Sequence, residues 1–147
     1  MKKILLILIA GIAFYGIIQQ TPTFISTDHS IGSESSTSDK TIGKAFENQQ
    51  SSIQVDGSGT VIKILPDDTQ GSRHQKFIIE LDSGQTLLIA HNIDIAPRIR
   101  NLTVGDHIDF YGVYEWNAKG GVVHWTHHDP SERHEGGWLN HGGKRYQ

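Results

Sequence analysis

At 147 residues with a formal net charge of −3, the chain has room for one domain and lacks the basic excess needed to bind nucleic acid through its phosphates. The absence of cysteine excludes a disulfide scaffold, a thiolate zinc site and a thiol nucleophile. Nine histidines set against that small net charge make the surface potential sensitive to mild acid.

Met1-Lys2-Lys3 opens the chain, and the run from Ile4 to Ile18 carries no charge. A basic start followed by an apolar core of about 15 residues has the form of an export signal, and is short for a helix crossing a hydrocarbon layer of ~30 Å. Residues 1–18 are therefore expected to act as a signal peptide or, uncleaved, as a membrane anchor. The remainder would then be periplasmic, secreted or held at the inner membrane. From 19 to 54, Ser, Thr, Gln and Gly dominate and no helical or strand period persists, so a disordered linker is expected there.

The region 55–147 reads as one mostly β domain. Val55–Leu65 is entered through glycines and forms a first strand, ended by Pro66-Asp67-Asp68. Phe77, Ile79 and Leu81 alternate with polar and solvent-facing positions in a second strand. Asp82-Ser83-Gly84 turns the chain into a third, Thr86–His91. Pro97 suits the first turn of a short helix over Ala96–Leu102. A fourth strand puts Ile108, Phe110, Gly112, Tyr114 and Trp116 on one side, and a Gly-rich turn leads to a fifth over Val122–His127. Three strands, a short helix and two more strands give the element order of a five-stranded Greek-key barrel of the OB kind. The tail holds too many glycines for a helix, although Trp138 and Tyr146 are placed to pack back on the barrel.

Two polar stretches stand out, His91-Asn92-Ile93-Asp94 at the end of the third strand and His124–Pro130 at the end of the fifth. Strand alternation would give His124, Thr126 and His128 one face and Trp125 and His127 the other, with His124 and His128 roughly 13 Å apart on a straight strand. If the stretches meet, His91, Asp94, His124, His127, His128 and Asp129 are the candidate ligands of a divalent metal such as zinc. Candidate binding residues on the same polar loop face are His74, His91, Asn92, Asp94, Tyr111, Glu115 and Trp125.

The segments RHQKFIIEL (73–81), LLIAHNIDIAPRI (87–99), FYGVYEWNAKGG (110–121), HWTHHDP (124–130) and GWLNHGGKRYQ together resemble a bacterial domain family of unknown function, made of short exported proteins. That resemblance implies no activity. A looser similarity links LLIAHNIDIAPR to the thermonuclease family, whose strand leads into I-D-x-P-E. It would make Asp94 a metal-side carboxylate, but Ala96 displaces the proline and Arg98 stands where the general-base glutamate belongs. The sequence thus points to a non-enzymatic envelope module that binds a small ligand, a glycan or a protein rather than nucleic acid. The competing reading is a metal-dependent hydrolase or nuclease using the same His and Asp cluster.

Overall fold

The computed structural model describes residues 36–147. The apolar run over 1–18, with the signal or anchor expected there, lies outside the described residues, as does the linker from 19 to 35. The described part of that linker departs from expectation, because Thr37–Glu47 form a helix, α1. Its first turn is built by Ser36, whose hydroxyl accepts from the Asp39 backbone N–H at 3.1 Å. Asp39 also places a carboxylate at the positive end of the helix and accepts from the Ser83 N–H at 3.0 Å. Ile42 and Ala45 share one side of the helix and are buried. So short an isolated helix is marginal in water. Here it forms against an open barrel end that covers those two side chains.

The strands are β1 (Ile53–Ile64), β2 (His74–Glu80), β3 (Thr86–Asn92), β4 (His107–Glu115), β5 (Val122–His124), β6 (Trp138–His141) and β7 (Lys144–Tyr146). The order β1-β2-β3-β5-β4, with β4 returning to β1, closes a five-stranded barrel in which β3 and β5 alone run parallel. The long β1 serves two neighbours: Ile53–Thr60 pair with β4, and Thr60–Ile64 pair with β2. Gly59 permits this handover, since a Cβ there would lie 2.7 Å from the Glu80 carbonyl oxygen. The expected alternation holds. Phe77 and Ile79, Leu87 and Ile89, and Ile108, Phe110 and Tyr114 all point into the core.

Three local expectations are corrected. Among the described residues the single helix is α1, and no helix follows Pro97. The Ile99 N–H donates to Gln75 Oε1 at 2.9 Å and its carbonyl accepts from Gln75 Nε2 at 3.0 Å, so a side chain of β2 takes the groups that helical bonds would have used. Asn101 then turns left-handed, with φ of 60°. The fifth strand ends at His124 rather than His127, because Trp125 is left-handed at φ 54° and breaks the pleat. The C-terminal tail is more than packing. It forms the β6–β7 hairpin across Gly142-Gly143, extends the sheet along β4 and buries Leu139 and Tyr146. Among the described residues no helix is long and apolar enough to cross a membrane.

Candidate functional site

The barrel end opposite α1 is closed by polar groups. Gln75 and His91 are cross-strand partners at inward positions of β2 and β3, and both are buried. Gln75 clamps Ile99 as described. His91 Nε2 lies 3.1 Å from the Pro97 carbonyl, which can only accept, so this nitrogen carries the proton. Its Nδ1 therefore accepts from the Thr126 hydroxyl at 2.9 Å. Burial holds the His91 imidazolium well below its ordinary range, at about 4, against the opposing pull of the Pro97 carbonyl. A neutral ring thus ties the loop after β3 to the loop after β5. The two polar stretches singled out in the sequence meet at His91.

Past the left-handed Trp125, the chain runs close over β4. Gly112 and Gly137 make this possible: a Cβ on Gly112 would lie 2.5 Å from the His124 carbonyl oxygen, and one on Gly137 would lie 2.0 Å from that of Trp125. Thr126 is driven inward onto His91. His124, Trp125 and His127 instead line one cleft together, whereas unbroken alternation would have split them between two faces. The cleft has a volume of about 380 Å³ and is completed by His74, Asn92 and Ile95.

Most polar groups around it are already committed. His74 Nδ1 donates to the Ser72 carbonyl at 2.8 Å and His127 Nδ1 to the His128 carbonyl at 2.8 Å, which leaves Nε2 of each ring as its remaining polar atom. Asn92 Oδ1 accepts from the Asp94 N–H, so its amide NH₂ is what remains. His124 differs. Its Nε2 is shielded from solvent without a hydrogen-bond partner, and Glu115 Oε1 at 3.6 Å is beyond hydrogen-bond reach. Burial lowers the His124 pKa, and the Glu115 carboxylate partly offsets this. Glu115 in turn accepts from Ser52 Oγ at 3.1 Å.

Of the sequence candidates, the cleft gathers His74, Asn92, His124, Trp125 and His127, with Glu115 at its flank and His91 locked in the core beside it. The others serve elsewhere. Tyr111 stacks on Trp138 on the outer face of β4 and β6 and donates to Glu135, which raises its phenol pKa. Asp94 accepts from the Arg73 backbone N–H and from Arg73 Nε, both at 2.7 Å, and these bonds depress its pKa. Asp129 accepts from the backbone N–H groups of Ser131, Arg133 and His134, and the Ser131 bond leads in holding its carboxylate ionised. His128 is exposed. The six candidate zinc ligands therefore do not assemble, and among the described residues no three His, Asp or Glu side chains converge on a metal position. Reasoning from sequence missed Gln75, Thr126 and Ile95. Gln75 had a readable signal, being a polar residue in the inward series Gln75-Phe77-Ile79.

A comparison with curated proteins finds no match. A family model described as "Protein of unknown function (DUF3465)" matches residues 25–147, which is most of the chain and all of the barrel, and the chain therefore belongs to that family.

Proposed function

We propose that the protein is an exported binding module, and that its ligand site is the cleft formed by His74, Asn92, His124, Trp125 and His127. The observation that carries this reading is a cleft in which His74 and His127 spend Nδ1 on backbone carbonyls and keep Nε2 uncommitted, beside His124, whose Nε2 has no hydrogen-bond partner. A shielded polar group without a partner costs about 1–3 kcal/mol, so a turn of the His124 ring that brings Nε2 to a ligand oxygen would remove that cost. Neutral imidazoles accept from hydroxyls, and protonated ones donate to anionic oxygens, so the cleft suits a small polar ligand or the end of a glycan. The position also supports the reading, since the outer face of strands 2 and 3 and the loops beside it are where OB barrels hold oligomeric ligands. A hydrolytic role is less well supported, because Asp94, its main carboxylate, is engaged by Arg73.

The test is a titration of the full chain with small polyols, amino sugars and carboxylates, followed by the NMR signals of the histidine rings and tryptophan indoles. Saturable shifts are expected at His74, His124 and Trp125, with Trp138 unmoved, and His124→Ala with Trp125→Ala should abolish them. A panel that moves none of these side chains would remove the support for the site.

A further inference from the structure

The outward side chains of β2 and β3 change character along the strands. The cross-strand pairs run from His74 with Asn92, through Lys76 with Ala90, to Ile78 with Leu88. An antiparallel pair with one face in water normally confines its apolar residues to the core face. Ile78 and Leu88 break that rule, and with Leu65 they line a second cleft of about 310 Å³, bounded by Asn117 and Lys119. Leu88 lines this cleft and Ala90 lines the imidazole cleft. They are successive outward residues on one strand, about 7 Å apart, which makes the clefts two lobes of one trough. The methyl group of Ala90 keeps the passage between them low. Either lobe alone is near the small end of ligand pockets, about 300–1,000 Å³, and the joined trough lies well inside that range.

Charge completes the pattern. Lys76 stands across from Ala90 at the passage, and Lys119 stands at the rim of the apolar lobe. Among the described residues neither has a carboxylate within ion-pair distance. The carboxylates on this side are Glu115, facing His124 and Ser52; Glu80, at the far end of β2 beyond Ile78; Asp68, paired across from His74 and accepting from the Gln70 N–H; and Asp94, held by Arg73 within electrostatic reach of His74. The stem of Lys76 can lie along apolar surface while its ammonium reaches a polar group.

We propose that the trough takes a single-chain anionic amphiphile, with its alkyl chain over Ile78 and Leu88 and its carboxylate on the Lys76 ammonium, beside the rings of His74 and His124. This rests on the imidazole cleft being the ligand site. The test titrates the full chain with straight-chain carboxylates from acetate to decanoate, kept monomeric. Methyl signals of Ile78 and Leu88 and ring signals of His74 and His124 report each lobe separately and are distinct from any response of residues 4–18. Affinity should rise about two- to fourfold per added methylene. Leu88→Asp should remove that gain and leave the imidazole response to short acids, and Ile78→Thr, milder for the fold, should reduce it. Lys76→Gln should weaken every acid, and octyl glucoside should bind about tenfold less tightly than octanoate. Affinity independent of chain length, with short acids still shifting His74 and His124, would overturn the amphiphile and leave the ligand site standing. A glucoside as tight as the carboxylate would overturn the anionic head. Silence at His74 and His124 for every acid would overturn the proposal outright.

Discussion

At the barrel end reached by the β2–β3 turn, α1 covers the core with Ile42 and Ala45. At the opposite end, Gln75 and His91 close it with hydrogen bonds to Ile99, Pro97 and Thr126. The apolar closure is non-directional, so its strength follows the area buried. The polar closure is directional. It fixes loops at defined distances, and it fails when a partner is removed or charged. The candidate site lies at the second end, where the loops need exact placement more than the core needs area.

The comparison is broken most forcefully at the apolar end. Ile42→Ala should cost about 2–5 kcal/mol in urea unfolding, through lost burial and a residual cavity. Ring signals of His74 and His124 should stay in place, and their movement would show that the two ends are coupled. Acid should act on the polar end. The folded-state pKa of His91, about 4, lies below the ordinary 6.5. The unfolded chain therefore binds the proton first. Its contribution to stability is complete above about pH 6.5, falls as the pH drops towards 4, and amounts to about 3 kcal/mol. Unfolding midpoints measured across that range should show the slope, and His91→Gln should flatten it. Asp94 and Asp129, with lowered pKa values, lose their contributions in a separate window, from their ordinary range downward. The most local effect is expected from Gln75→Leu, which leaves the N–H and carbonyl of Ile99 unpaired at a cost of about 1–3 kcal/mol each. Amide exchange over Ile93–Asp106 should accelerate while α1 stays protected, and uniform acceleration would argue against a separable lock.

Strands β2 and β4 were legible because each carries its own period. Phe77 and Ile79 in β2, and Ile108, Phe110 and Tyr114 in β4, declare the inward face without reference to the rest of the chain. Helix α1 was hidden in a Ser- and Thr-rich stretch because only two of its apolar side chains are fully buried. Its readable trace was Ser36 three residues before Asp39, the form of a capping box. The segment after Pro97 misled for the opposite reason. Its local signals favour a helix, but Gln75, 24 residues earlier, takes the backbone groups of Ile99. At the site, residue types were well chosen and their roles were not. His91 looked like a metal ligand and is a core tie with both nitrogens engaged, while Asp129 and Asp94 spend their oxygens on neighbouring donors.

By itself the sequence determined the order of the five barrel strands along the chain, the inward faces of β2 and β4 and the two polar stretches that meet at His91, because alternation and turn chemistry are local. Tertiary structure decided which imidazoles open onto the cleft and which lie locked inside. An imidazole's role depends on the acceptor or donor placed beside each nitrogen. Those neighbours, Thr126 and the Pro97 carbonyl for His91, the Ser72 carbonyl for His74 and the His128 carbonyl for His127, are in place only when the barrel closes.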